Sequence, residues 1–275
     1  MSEMLCALLL GIVEGLTEFL PISSTGHLLI AEHWLGARSD FFNIVVQAGA
    51  ILAVMLVLRQ RLWTLVTGFN QLEHRDYVLK LGAAFMVTAL VGLPVRLLGW
   101  ELPENLQPVA WALLIGGIWM LLAEYGAEQL NKKRPLSAVE HAPANFIPWN
   151  IAIAVGLAQV VAGVFPGTSR SAAAIFVALL LGVRQRAVAA EFVFLVGIPT
   201  MLAASAWAGL ELLRSKEAIS EPWGQTAVAF IAATVVGFAV VKWLLDYIKQ
   251  HRFTGFAIYR IVAGLVLLLW LTTGN

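Results

Sequence analysis

The sequence predicts an all-α polytopic membrane protein built as an inverted repeat, with six transmembrane helices and two re-entrant helix-loop-helix hairpins. Three observations carry that prediction. Of the 275 residues, 60% are hydrophobic and only 13% are charged, whereas a soluble domain carries about a quarter charged residues. Apolar runs long enough to cross a bilayer, about 17 to 25 residues, occur near 41–58, 78–98, 108–126, 189–213, 224–245 and 255–273. Two further apolar stretches, 4–35 and 149–182, are each broken near the middle, by Pro21 and by Pro166 with Gly167.

The first broken stretch concentrates polar residues where lipid disfavours them. An acidic residue at the bilayer centre costs roughly 2.5 to 3.5 kcal/mol, so Glu14 and Glu18 need partners, water or a function. Four residues apart, they share one helix face. Pro21 stops that helix, and Ser23, Ser24 and Thr25 are candidate caps for a second one carrying His27. The turn between them aims hydroxyls, free N–H groups and a positive dipole end at one spot, which suits an anion. Non-helical backbone at membrane depth must be covered by protein or water, so 4–35 and 149–182 each enter and leave on the same side.

The two stretches match at an offset of 145 residues: Gly11 with Gly156, Glu14 with Gln159, Pro21 with Pro166, Ser23 with Thr168, Ser24 with Ser169. The register predicts a duplication. Residues 1–275 form one integral membrane domain: a first repeat over 1–130 (hairpin 4–35 plus three spans), a cytoplasmic linker over 131–148, and a second repeat over 149–275 (hairpin 149–182 plus three spans). Three spans invert the second repeat relative to the first. The hairpin tips then meet from opposite faces, setting Glu14, Glu18, Ser24 and His27 against Ser169, Arg170 and Ser171.

Lys and Arg set the orientation. The loops near 59–80, 130–148, 183–187 and 242–254 hold most of them, including Arg59, Arg61, Lys132, Lys133, Arg134 and Arg252, whereas the other face holds Arg38, Arg96, Arg214 and Lys216. The first face is therefore cytoplasmic. Both termini and the mouth of the first hairpin lie on the outer side, and Trp34, Trp63, Trp100, Trp149 and Trp223 suit interfacial belts. The net charge of +1 offers no basic surface for nucleic acid. The single Cys6 excludes an internal disulfide and a cysteine metal cage. No basic segment precedes the first apolar run, so it reads as part of the fold and not as a cleaved signal. His33, His74, His141 and His251 show no ligand spacing. Gln47 and Glu191 either fasten helices or line a pocket, Gly116-Gly117 reads as close helix packing, Arg260 reads as a snorkelling or capping residue, and Tyr259 has no assigned role.

The segment Glu-Gly-Leu-Thr-Glu-Phe-Leu-Pro-Ile-Ser-Ser-Thr-Gly-His at 14–27, with Pro-Gly-Thr-Ser-Arg-Ser at 166–171, resembles the undecaprenyl pyrophosphate phosphatase family, also called bacitracin-resistance protein A. Matches at 45–54, 191–195 and 256–260 extend the resemblance almost end to end. It implies a bacterial inner-membrane enzyme that removes one phosphate from undecaprenyl pyrophosphate, the spent cell-wall lipid carrier, with a divalent cation requirement. Bacitracin would then compete for the lipid substrate and not bind the protein. Membrane lipids and a second copy of the chain are the remaining expected partners. The sequence departs from the family after Ser171, where Ala172, Ala173 and Ala174 replace the usual Gly and Ala-Thr, so no role is assigned to those three positions.

The residue types fit that chemistry. Phosphoryl transfer needs a nucleophile, proton management and positive charge on the phosphates. Ser24 is the candidate nucleophile and His27, three residues on, its base or acid; water activated by His27 or Glu18, or His27 itself, are the alternatives. Arg170 offers a bidentate fork for phosphate, with Ser169, Ser171, Ser23, Thr25, Gly26 and Thr168 as further phosphate contacts. Glu14 and Glu18 would repel a polyanion unless they hold a cation, Mg²⁺ or Ca²⁺. A different class of function, a transporter or flippase of a polyprenyl phosphate or other anion, uses the same inverted-repeat architecture, but it needs no nucleophile beside a base.

Overall fold

The computed structural model describes residues 2–97, 106–133, 146–165, 167–214 and 222–273, without the side chains at 96, 97, 208 and 211–213. Pro166, Trp100, Arg134, His141, Lys216, most of the 131–148 linker and the side chain of Arg96 lie outside the described residues. Among those described, the chain forms eleven helices and no strand: α1 (Glu3–Thr17), α2 (Ser24–Leu35), α3 (Asp40–Val57), α4 (Arg59–Thr67), α5 (Leu72–Leu97), α6 (Leu106–Lys133), α7 (Trp149–Val164), α8 (Arg170–Leu181), α9 (Arg186–Arg214), α10 (Trp223–Gln250) and α11 (Thr254–Thr272).

Six helices, α3, α5, α6, α9, α10 and α11, are long and apolar enough to cross a membrane, in the segments where the sequence places its spans. The protein is a multi-pass membrane protein. Large apolar side chains cover its outer faces, Leu90, Leu122, Val235 and Leu269 each being roughly two-thirds exposed, which suits lipid and not water. The other helices of the two broken stretches, α1, α2, α7 and α8, have 12 to 16 residues and measure about 18 to 24 Å, short of a core about 30 Å thick.

Helix ends follow local chemistry. Ser2, Ser39 and Ser169 cap α1, α3 and α8 by accepting from the backbone N–H of Leu5, Phe42 and Ala172, each satisfying one orphan donor. Gly182, at φ 122°, ends α8, a left-handed conformation that only glycine adopts without strain. One element departs from expectation: α4 occupies part of the 59–80 loop. At nine residues, with Arg59, Gln60 and Arg61 in its first turn, it is too short and too polar to cross a bilayer. Its Trp63 and Val66 are about 70% exposed.

Small residues let the helices approach closely. On α1, a side chain at Gly11 would strike the backbone of Ala229 on α10; on α7, one at Gly156 would strike the carbonyl of Ala84 on α5. The α3–α10 contact uses Gly49 against Phe230, and the α6–α11 contact uses Gly117 and Gly264 against the partner's backbone. One polar fastening joins three helices: the buried Glu124 of α6 accepts from Arg186 Nε and from the N–H of Phe253 at 3.0 Å each, and from Thr254 Oγ1 at 3.1 Å. Glu191 of α9 pairs with Arg61 of α4 at 3.0 Å, so it fastens helices and does not line the cavity described below.

Gly156→Val and Gly11→Val are expected to lower the unfolding midpoint of detergent-purified protein by several degrees or to abolish its recovery, since backbone blocks the added atoms. Gly82→Ala, where nothing lies within 4 Å of the added methyl, is expected to stabilise by up to about 1 kcal/mol. Thermal unfolding of the three variants checks both statements.

Candidate active site

The site forms where the α1–α2 turn meets the start of α8. Glu18, the C-cap of α1, donates its N–H to Glu14 O at 2.9 Å, and its side chain is only 4% exposed. One carboxylate oxygen accepts from the hydroxyl of Ser24, and the other accepts from Arg170 Nη2. A single carboxylate thus joins both broken stretches. Arg170 Nη2 also lies 2.8 Å from Met201 Sδ on α9. The second stretch touches the first once more, Ser171 Oγ donating to Leu20 O at 3.2 Å while sharing a 3.0 Å hydrogen bond with Ser169 Oγ.

Ser23 turns the chain into α2. At φ 77° it is the only described residue other than glycine with positive φ, a conformation costing on the order of 1 to 3 kcal/mol and held only where the surroundings enforce it. Its side chain caps the N–H of Gly26 at 3.4 Å, and its carbonyl accepts from the N–H of His27 at 3.2 Å. The same carbonyl lies 2.7 Å from His27 Nδ1, and His27 Nε2 lies 2.7 Å from the hydroxyl of Tyr259. A carbonyl can only accept, so Nδ1 carries the proton and Nε2 accepts from Tyr259. Ser24, the first residue of α2, faces back to Glu18 and not across to His27.

Of the remaining candidates, Glu14 is fully buried and, among the described residues, neither of its oxygens has a hydrogen-bond partner. It lies within electrostatic reach of Glu18 and Arg170. Gly26 is a packing position, since a side chain there would press on Val109. Thr25 and Thr168 sit half-buried at the starts of α2 and α8, and the Thr168 N–H donates to Phe165 O at 3.1 Å. Among the described residues, no three His, Cys, Asp or Glu side chains gather into a self-contained metal site. Two adjacent carboxylates, one with both oxygens free, nonetheless fit a hard divalent ion that takes its other ligands from phosphate and water. A small cavity of about 20 Å³ opens beside Glu18, Arg170 and Ser171, walled by Gln159 and by Phe19, Ile51, Phe194 and Met201.

Arg260 departs from its expected role. It does not snorkel; it is 1% exposed, and its guanidinium donates to the carbonyls of Ala112 at 2.9 Å, Gly167 at 3.0 Å and Pro21 at 3.4 Å. Pro21 and Gly167 sit in the two helix breaks, so Arg260 ties both turns to α6 and supplies donors to carbonyls that a broken helix leaves unpaired. Nothing in the local sequence signals this, because the acceptors are backbone atoms far away in the chain. Tyr259 acquires a role by the same placement, as the partner of His27.

Comparison with known proteins follows the same lines. The family model described as bacitracin resistance protein BacA matches residues 7–266. The undecaprenyl-diphosphatase of Xanthomonas oryzae pv. oryzae is 66% identical over 271 residues, covering 98% of each chain. That of Xanthomonas campestris pv. campestris is 66% identical over 271 residues, covering 98% of this chain and 99% of its own. The protein of the same name from Xylella fastidiosa is 61% identical over 272 residues, 99% of this chain and all of its own.

Arg260→Met is expected to leave the carbonyls of Pro21 and Gly167 without this donor, at about 1 to 3 kcal/mol each where no water replaces it, and therefore to lower the unfolding midpoint. Tyr259→Phe removes one hydrogen bond at a half-exposed position and is expected to cost only about 1 kcal/mol. Parallel denaturation of the two variants in detergent checks the ranking.

Proposed function

The chain belongs to the BacA family of bacitracin resistance proteins, and from that membership we propose that it hydrolyses undecaprenyl pyrophosphate to undecaprenyl phosphate and inorganic phosphate. It is a membrane phosphatase. Recycling the carrier lipid in this way confers bacitracin resistance, because the antibiotic competes for the pyrophosphate lipid and the enzyme consumes it. The single observation that carries the site assignment is Glu18, shared between Ser24 of one broken stretch and Arg170 of the other.

The proposed reaction runs in two displacements. Ser24 Oγ attacks the terminal phosphorus, its proton passes to Glu18, to which it is already hydrogen-bonded, and the bond from phosphorus to the bridging oxygen breaks to release undecaprenyl phosphate. Water, displacing the Tyr259 hydroxyl from His27 Nε2, then attacks the phosphoserine and gives its proton to that nitrogen, which passes it to solvent as the products leave. Inorganic phosphate leaves as Ser24 recovers the proton from Glu18. Arg170, Ser169, Ser171 and the N–H groups at the starts of α2 and α8 hold the phosphates. Glu14 and Glu18 are the residues that would hold a Mg²⁺ or Ca²⁺, and such an ion would neutralise the pyrophosphate. The cavity is far smaller than the roughly 300 to 1,000 Å³ of a ligand pocket, so substrate entry separates the two turns. A phosphate with more than one negative charge draws Arg170 away from Glu18.

The proposed architecture is an inverted repeat of residues 1–130 and 149–275 about the 131–148 linker, with α1–α2 and α7–α8 as re-entrant hairpins. What supports it is a reciprocal contact: the 145-residue offset carries Gly11 to Gly156 and Ala84 to Ala229, and Gly11 packs on Ala229 while Gly156 packs on Ala84. In this reading both termini lie outside the cytoplasm and the site opens outward.

Phosphate release from a polyprenyl pyrophosphate by purified protein is expected to fall by at least about a hundredfold in Ser24→Ala and Arg170→Ala, and by at least about tenfold in Arg170→Lys, which keeps the charge and loses the fork. A chelator should abolish turnover. Near-wild-type rates in Ser24→Ala would sink the covalent route in favour of direct attack by water. For orientation, cysteines placed singly at Ser2 and Gln250 in a Cys6→Ser background should differ in intact cells. An impermeant maleimide should label the first and spare the second.

A further inference from the structure

Gln159 is a polar side chain that the fold does not use. It lies on α7 between Ala158 and Val160, is 3% exposed, and has no partner among the described residues on either its amide nitrogen or its amide oxygen. A buried polar group left unpaired costs about 1 to 3 kcal/mol, so an apolar side chain of similar length would fold better here. Two further observations say what the amide is for. Gln159 lines the cavity beside Glu18, Arg170 and Ser171. It is also the counterpart of Glu14 at the 145-residue offset, and Glu14 likewise is buried with both side-chain oxygens unpartnered. On α1 and α7, which the offset matches to each other, one position therefore presents a carboxylate and the equivalent one a neutral amide.

The difference matters for an anion. A third carboxylate near Arg170, beside Glu18 and Glu14, would add repulsion against phosphate, whereas an amide offers N–H donors without charge. We propose that Gln159 is a substrate-binding residue, its Nε2 donating a hydrogen bond to a phosphate oxygen of the lipid head group while Arg170 and Ser171 bind the same group from α8. The amide remains unpaired until that head group arrives. The proposal rests on the reading of this cavity as the head-group site.

The test compares wild type, Gln159→Met and Gln159→Glu in detergent by three measurements: the unfolding midpoint, kcat and KM for farnesyl pyrophosphate, and calorimetric binding of farnesyl monophosphate. Gln159→Met should melt at or above wild type while KM and the monophosphate dissociation constant rise about ten- to a hundredfold, the range for a lost hydrogen bond to a charged group. Gln159→Glu should weaken both further. A Gln159→Met protein with wild-type KM and wild-type monophosphate affinity overturns the proposal. So does one that melts well below wild type with kcat reduced and KM unchanged, which is the pattern of a packing residue. A wild-type protein that binds the monophosphate without turning over pyrophosphate refutes the phosphatase reading alone, and the calorimetric comparison still decides the role of Gln159.

Discussion

A carboxylate buried in an apolar membrane protein has to be paired, and the pairing of Glu18 dictates much of what surrounds it. Uncompensated, such a charge is unaffordable at membrane depth. Glu18 takes a hydroxyl from the helix that follows it and a guanidinium from the other half of the chain. For both partners to arrive, α1 must end at Thr17, the chain must reverse within a few residues, and α8 must begin against that reversal. Removing Arg170 would leave the buried carboxylate with the Ser24 hydroxyl alone, so the pairing across the two halves carries most of its compensation.

Breaking two helices inside the protein also frees backbone groups, and satisfying them explains several side chains placed at the breaks. Ser23 and Ser169 cap the new N-termini. Ser171 takes the carbonyl of Leu20, and Arg260 takes those of Pro21 and Gly167. Arg260 reaches both turns at once and ties them together without touching the carboxylates. The glycine contacts of α1 with α10 and of α7 with α5 hold each broken stretch against a long helix through close backbone packing.

Most of this was legible in the sequence. Long apolar runs identify spans because lipid imposes a length and a composition. Pro21, with carboxylates and hydroxyls inside an apolar stretch, identifies a broken helix because each is costly anywhere else. Three things were not legible. The short α4 carries too few apolar residues to register as a span. The partner of Ser24 is misjudged from helical spacing, because Ser24 is the first residue of α2 and points into the preceding turn, where Glu18 waits. Arg260, about two turns into α11, looks like any snorkelling arginine, since its three acceptors are carbonyls brought from residues 21, 112 and 167.

The central claim is that one carboxylate assembles a phosphatase site from both halves of the chain. A double-mutant cycle on kcat/KM for the lipid pyrophosphate tests it most directly, with Glu18→Ala, Arg170→Ala and the double variant in matched detergent. If the two act as a unit, the double variant is little worse than the more damaging single one, and the coupling exceeds about 1 kcal/mol. Losses that add to within about 0.5 kcal/mol would mean that Glu18 and Arg170 work independently, and would contradict the shared site.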